Sequence, residues 1–485
     1  MRICLATRHA DRRFTPLALL YLKAALVDHG RVAPDDITIL EFSEDSEPAE
    51  MAAAMARCAP DVLALSCYVW NVVDLMDAAG RVRAARPAMH VLAGGPEVGP
   101  IAEGVLARYP ALDVVVTSEG EGPIVALVTR WREGGDIRNV AGVWSRSSDG
   151  IREHADAAVV LDLGTLASPH TRGYVSHTDR IVCVETQRGC VFRCSFCFYN
   201  KDLSIRNRRF DLARVEAELA YWLQQDIRQL YLMDPVFNLN AARAKDICRF
   251  LIAHNHRQIP VHAEIWAEFV DGELAALMRA AHFDFLEVGL QTTDVAALAA
   301  VERRLKMQPF LDGVGHLSAH GLAFELQLIL GLPGDSLASF RQSIDFAAAL
   351  EPEYLAAFTL MVLPGTELWR QADALALEFD AQPPYFIRST PAMPAADLRH
   401  GRRMARAVRA LWNSRAIRLL SRERGMTFSG LVDAWVQWSD GSALLDDEPS
   451  VESGLQGFVA DYCRRHDIAP ELYLGVTRLE LRAEG

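Results

Sequence analysis

Ile181-Val-Cys-Val-Glu-Thr186-Gln-Arg-Gly-Cys190-Val-Phe-Arg-Cys194-Ser-Phe-Cys197-Phe-Tyr-Asn200 is an apolar run that passes directly into three closely spaced cysteines. The run predicts a buried strand over Ile181–Thr186, which places the thiols on the loop at its carboxyl end. Thiolates are soft ligands suited to iron–sulfur clusters or zinc. Ordinary clusters take four protein cysteines, so three in close succession suggest a cubane with one iron left open. A structural zinc site, completed by His177 or a distant cysteine, is the alternative. The other cysteines, Cys4, Cys58, Cys67, Cys183, Cys248 and Cys463, are scattered through apolar or helical stretches and read as small buried hydrophobes. Nine cysteines in 485 residues are no disulfide framework; a reducing compartment makes metal binding or catalysis the use for the clustered three.

The strand before the cysteines opens a βα series. Leu230–Met233, Val261–Ile265, Phe285–Leu290, Phe324–Leu330 and Leu355–Val362 are further predicted strands. Leu212–Gln224, Ala241–His254, Gly272–Ala280 and Leu337–Ala348 have helical spacing between them. Six βα repeats over residues 175–375 suffice for a partial (β/α)6 relative of the TIM barrel, whose catalytic groups sit at the strand C-terminal ends. Thiols at such a mouth favour the cluster over zinc.

Residues 1–155 alternate in the same way. Strands are predicted at Ile3–Ala6, Ile37–Leu40, Val62–Ser66, His90–Ala93 and Asp113–Val116, with helices at Leu17–Asp28, Glu50–Arg57, Val72–Ala85, Ala102–Arg108 and Ile124–Trp131. This is the pattern of an α/β doubly wound parallel sheet, Rossmann-like in layout. Ligands bind such sheets beyond the strand carboxyl ends, here Thr7–His9, Ser66–Asn71, Gly94-Gly95-Pro96-Glu97 and Thr117–Gly122. Their glycines let backbone approach a ligand or simply make tight turns. Val140–Val143 and Ile151–His154, around Ser147-Ser148-Asp149-Gly150, read as a closing hairpin. Residues 376–485 read as a mainly helical accessory domain, with helices at Ala396–Ser421, Phe428–Gln437 and Val451–His466.

Composition sets outer bounds. Asp plus Glu number 63 against 50 Lys plus Arg, a net −13, which disfavours a nucleic-acid or anionic-membrane binder. The start lacks a signal-peptide pattern, and no apolar run reaches the ~18 residues of a membrane span. A cytoplasmic setting is expected.

Buried parallel strands normally read as continuous apolar runs, so polar interruptions are informative. Glu287, Gly289 and Gln291 fall on one face at period two, and Glu325 and Gln327 do the same. His262, Glu264 and Asp234 add more. A carboxylate facing a dry core is expensive, which makes a ligand-filled cavity the better account of the set.

With these residues in view, Cys190-x-x-x-Cys194-x-x-Cys197 after the first strand of a partial barrel resembles the radical S-adenosylmethionine (SAM) superfamily, in the subclass with an N-terminal cobalamin (B12)-binding domain. The resemblance spans roughly residues 1–370. It implies a [4Fe–4S] cluster on the three cysteines, whose open iron chelates SAM, and it places Phe196 beside the adenine. It puts Asp234 near the SAM amino group, Glu287 and Gln291 on the ribose or active-site strand, and Leu332 in the adenine-contact turn. Tyr199, Glu264 and Gln327 complete the implied barrel set. On the cobalamin side it implies Ser66, Gly94, Gly95 and Glu119, with Tyr68 and Trp70 either covering the corrin's lower face or packing ordinarily. The DxHxxG sequence that supplies an axial histidine in many corrinoid proteins is missing; His9 is the lone histidine of that loop.

The activity implied is C-methylation at an unactivated carbon of a small molecule or peptide. Reduced cobalamin takes methyl from one SAM, and a 5′-deoxyadenosyl radical from another abstracts a substrate hydrogen. An electron donor such as flavodoxin or ferredoxin is the implied partner. A rearrangement, cyclisation or oxidation with the same cofactors is the second enzyme reading, and a non-catalytic corrinoid or redox sensor the third.

Overall fold

The computed structural model describes residues 1–485 except 149, 156–159, 161, 176–178, 201–206, 441–447, 471–472 and 474–485. Asp149 and His177 therefore lie outside the described residues.

The N-terminal unit is a seven-stranded sheet in the order β2-β1-β3-β4-β5-β6-β7. Strands β1 (Ile3–Arg8), β2 (Ile37–Phe42), β3 (Val62–Ser66), β4 (His90–Gly94) and β5 (Val114–Val116) run parallel. Helices α1 (Leu17–Asp28), α2 (Pro48–Arg57), α3 (Val72–Ala85), α4 (Ala102–Arg108) and α5 (Glu121–Arg132) cover both faces. Each face has its own apolar core, one around Met51, Leu75 and Leu106, the other around Leu19, Leu26 and Ile124. The hairpin is shifted from its expected place: β6 (Val143–Ser147) pairs antiparallel with β7 (Gly150–Glu153). Ser147 opposes Gly150 directly, so the strand runs up to the turn through serine and arginine residues that give no apolar signal.

The second sheet has six strands in the order β15-β14-β13-β12-β11-β8, all parallel. Strand β8 (Ile181–Val184) leads into β9 (Gln187–Arg188), which pairs antiparallel with β10 (Arg208–Arg209) and brackets the cysteine loop. Strands β11 (Gln229–Leu232), β12 (Val261–Ile265), β13 (Phe283–Gln291), β14 (Phe324–Leu330) and β15 (Tyr354–Thr359) follow. Between and after them come α6 (Leu212–Leu223), α7 (Ala241–His254), α8 (Gly272–Ala280), α9 (Val295–Ala300), α10 (Met307–Ala319), α11 (Leu337–Ala349) and α12 (Glu367–Gln371). A short ribbon, β16 (Glu378–Phe379) with β17 (Ile387–Ser389), precedes the last helices.

An open barrel leaves two strand edges that must be covered. At β8, residues 13–15 of the N-terminal unit act as an added strand: Thr15 N–H donates to Ile181 O at 3.0 Å, and Ile181 N–H to Arg13 O at 2.8 Å. Thr15 Oγ1 accepts from Cys183 N–H at 3.0 Å. Leu17 and Tyr21 of α1 then enter the barrel core. At β15 the cover is α13 (Ala395–Asn413), anchored where Trp412 Nε1 donates to Pro352 O at 3.0 Å. The single helix expected over Ala396–Ser421 is broken: Ser414 is extended (φ −76°, ψ 112°) and starts α14 (Arg415–Arg424). Helices α15 (Phe428–Trp438) and α16 (Glu448–Arg465) follow, and residues such as Trp435, Phe458 and Tyr462 belong to one continuous core with the barrel. Among the described residues no helix is long and apolar enough to cross a membrane.

Candidate active site

The cysteine loop is fixed from three directions. Cys197 N–H donates to Cys194 O at 2.9 Å within the loop, Ser195 N–H to Val301 O at 2.9 Å beyond α9, and Leu368 N–H of α12 to Ser195 O at 2.8 Å. None of the three cysteines is in a disulfide. They open, with Phe196 and Tyr199, into a cavity of about 130 Å³ at the carboxyl ends of the barrel strands. Burial raises the Cys190 thiol and pushes Cys197 up to about 12. Binding a metal must release those protons.

The opposite wall of this cavity carries Glu264 of β12, Glu287, Gly289 and Gln291 of β13, and Gln327 of β14. The period-two alternation of the strands is what turns these side chains inward together. Tyr231 O–H donates to Glu264 Oε1 at 3.1 Å, and its ring stacks on His262 with centroids 4.1 Å apart. His262 Nε2 lies 2.8 Å from Glu287 Oε1, and Gln327 Nε2 donates to Glu287 Oε2 at 2.8 Å. The two carboxyls are driven apart. Burial, then the charge of Glu287, lifts Glu264 to about 7. Burial works in the same direction on Glu287, yet His262 and Gln327 hold it below the ordinary range. A pair split in this way offers one protonated donor and one ionised acceptor near neutral pH.

Two expected barrel residues lie elsewhere. Asp234 is completely buried behind the cavity wall, which it reaches only through its neighbours Pro235 and Val236. Its oxygens accept from Thr186 N–H at 2.7 Å, Thr186 Oγ1 at 2.5 Å and Gln187 N–H at 3.1 Å, tying the end of β8 to that of β11. Leu332 is fully buried in the barrel core, and its carbonyl accepts from Asp335 N–H at 3.0 Å. The cavity also holds residues the sequence did not flag as ligand-facing: Phe192, Trp266 and Arg303. Phe192 stacks on Trp266 at 3.7 Å, and the Arg303 guanidinium lies 4.4 Å from the same indole. Trp266 is adjacent to a flagged strand; Arg303 has no local pattern that marks it.

At the edge of the N-terminal sheet, Tyr68 and Trp70 stack with centroids 4.6 Å apart, and Trp70 is 49% exposed. Asn71 braces this loop, accepting from Tyr68 N–H at 2.8 Å and donating to Arg8 O at 3.0 Å and Ser66 O at 3.2 Å. Tyr199, which lines the cysteine cavity, is 52% exposed. Gly94 carbonyl accepts from Cys67 N–H at 2.8 Å. Gly95 has φ +116°, and a Cβ there would collide with the Cys67 carbonyl, so that glycine serves the turn itself. Glu119 is taken up by the barrel: Arg208 donates to its two oxygens at 2.8 and 2.9 Å, and Arg188 approaches at 3.4 Å. His9 is paired with Glu41 at 2.9 Å, which also holds Arg180 at 2.7 Å.

These residues can be tested against the groups that the motif implies. Among the described residues, no three His, Cys, Asp or Glu side chains are gathered closely enough to hold a single metal ion. A cubane asks for something else, since each thiolate takes a different iron, and three cysteines outside any disulfide around one cavity fit that demand. The exposed Tyr68–Trp70 face beside Ser66 and Gly94 gives a flat macrocycle an aromatic surface to lie on.

The described structure thus joins a thiol triad at the mouth of a partial barrel to a doubly wound sheet. The chain carries both domains of the cobalamin-dependent radical SAM enzymes: the B12 binding domain model matches residues 3–128 and the Radical SAM superfamily model residues 184–347. The cofactors of these domains are cobalamin, a [4Fe–4S] cluster and SAM. The 2-(S-pantetheinyl)-carbapenam-3-carboxylate methyltransferase of Streptantibioticus cattleyicolor is 30% identical over 61% of this chain and 45% of its own length. The cobalamin-dependent radical SAM methyltransferase TokK of Streptomyces tokunonensis is 28% identical over 69% of this chain and 53% of its own. The chain thus spans about half the length of these relatives. The radical SAM methyltransferase TsrM of Kitasatospora setae, solved with cobalamin and a [4Fe–4S] cluster, superposes with a TM-score of 0.65 at 18% identity, covering 82% of this chain and 80% of that one.

Proposed function

We propose that this protein is a cobalamin-dependent radical SAM C-methyltransferase acting on a small molecule or peptide. The observation that carries the reading is the cavity that joins Cys190, Cys194 and Cys197 to the acid and amide side chains of three barrel strands, with Tyr199 in its lining. The methyltransferase names of the two relatives support it.

When bound, the cluster and SAM supply a hydrogen-abstracting carbon radical, and the corrinoid supplies the methyl group. The chain's own residues do the holding. Cys190, Cys194 and Cys197 would carry the cluster. Glu287, ionised and oriented by His262 and Gln327, would accept hydrogen bonds from SAM, while Glu264 near pH 7 would hold a proton that it can donate. Phe192, Phe196 and Trp266 wall the cavity with apolar rings that keep water from a reactive intermediate. Trp70 and Tyr199, both about half exposed, are the side chains a substrate meets on the two facing units. Val191, 53% exposed between two of the thiols, brings the loop to the surface where a one-electron carrier of the flavodoxin or ferredoxin type would deliver its electron.

The test is anaerobic reconstitution with iron, sulfide and hydroxocobalamin, followed by reduction with SAM present. 5′-Deoxyadenosine and S-adenosylhomocysteine, both quantified by mass spectrometry, are the expected products. Deoxyadenosine without S-adenosylhomocysteine or bound corrinoid would exclude methyl transfer and leave a non-methylating radical reaction.

A further inference from the structure

Arg303 follows α9 and is only 8% exposed. A buried guanidinium needs an anion, because desolvating its charge is otherwise costly. Among the described residues Arg303 forms no salt bridge with a carboxylate. Its contacts are of other kinds. One nitrogen donates to the Gly289 carbonyl, another lies 3.7 Å from Cys194 Sγ, and the group stacks 4.4 Å from the Trp266 ring. Its Nε is buried with no hydrogen-bond partner. Its backbone is held as well, with Arg303 N–H donating to Leu298 O at 2.9 Å. The side chain is therefore a fixed cation at the wall of the cysteine cavity, and the nearest group able to carry negative charge is a thiol.

We infer that Arg303 is the charge partner of the cluster itself: it donates to the Cys194 thiolate and raises the cluster's reduction potential. The inference rests on the cluster reading of the three cysteines, but not on methyl transfer. A thiolate-held cluster gains a negative charge on reduction, and a fixed cation at hydrogen-bond distance stabilises the reduced form more than the oxidised one. Hydrogen bonds to the sulfurs, net charge and solvent exposure are the levers that set such potentials. The Trp266 face and the Gly289 carbonyl orient the guanidinium without neutralising it, so its full charge remains directed at the sulfur. Arg303 is on this account a positioning and tuning residue.

The experiment uses the full chain, reconstituted with iron and sulfide and measured without SAM or substrate. Wild type, Arg303→Lys and Arg303→Gln are compared by iron and sulfide content and by redox titration followed by electron paramagnetic resonance. Arg303→Gln should bind the cluster but hold a reduced-to-oxidised ratio about tenfold lower at the same ambient potential, a shift of about 59 mV for one electron. Arg303→Lys, which keeps the charge, should stay close to wild type. Cluster retained in the Lys variant but lost from the Gln variant would also support the charge role. Equal potentials in wild type and Arg303→Gln, or equal shifts or equal cluster loss in both variants, would overturn it. A wild-type chain that takes up no cluster would instead defeat the cysteine reading, a separate outcome.

Discussion

The two sheets offer the same kind of edge, a row of strand carboxyl ends rich in polar residues and glycine, and the protein uses them differently. At the barrel edge the polar side chains of β12, β13 and β14 converge on one cavity with the thiols. At the N-terminal edge many of them join the two units together. Glu119 binds Arg208 and Arg188, Glu97 accepts from Tyr385 O–H at 2.5 Å, and the loop after β1 pairs with β8. A polar residue at a strand end thus marks either a ligand or a seam, and what decides is whether a donor from another unit has claimed it. What the N-terminal edge leaves for a ligand is the aromatic Tyr68–Trp70 face. The same loop geometry bears on the missing DxHxxG sequence: the segment after β1 is used to close the barrel edge, and His9 is engaged by Glu41.

The comparison predicts that seam residues control stability and cavity residues control chemistry. Arg208→Met removes a 9%-exposed cation from Glu119, itself only 24% exposed, and leaves it the longer 3.4 Å contact with Arg188. A loss of about 3 kcal/mol is expected in denaturant unfolding, with iron uptake unchanged. Iron uptake that falls in step with stability would mean the seam and the cavity are not separable.

Glu97→Gln should act in the opposite direction, and only above acidic pH. Burial lifts Glu97 from 4.5 to about 7, so the fold prefers its protonated form. That contribution is fully present below pH 4.5 and is lost as pH rises through about 7. The glutamine keeps an acceptor for Tyr385 and carries no charge. Its gain over wild type should be near zero at pH 4 and reach roughly 3 kcal/mol at pH 8, read from melting curves across that range. A gain that is flat with pH would show that Glu97 does not titrate as a buried seam residue.

Much of this was legible in the chain because it is local. The Cys190–Cys197 spacing, the strand before it and the period-two positions Glu287, Gln291 and Gln327 each declare themselves within a few residues. The alternation of strands and helices likewise gave both sheets. What the sequence left open depends on closure between distant segments. Nothing around Arg303 or Phe192 announces that both meet Trp266, and nothing around Thr15 announces a partner at Ile181. Asp234 and Glu119 stood out correctly as polar residues at strand ends. Whether such a group faces a ligand, braces two strands or pairs across a junction is decided by which cation or amide arrives from elsewhere. The break at Ser414 was missed for a different reason: the apolar spacing continues through it, and only the backbone reveals the cap.

The most direct test of the central claim compares metal and corrinoid content in wild type and Cys194→Ala after identical anaerobic reconstitution. Two independent sites, one at each sheet edge, predict about four irons and about one corrinoid per wild-type chain. The variant should lose the iron and keep the corrinoid. Iron retained in full by Cys194→Ala, or no corrinoid bound by a correctly folded wild-type chain, would contradict the account.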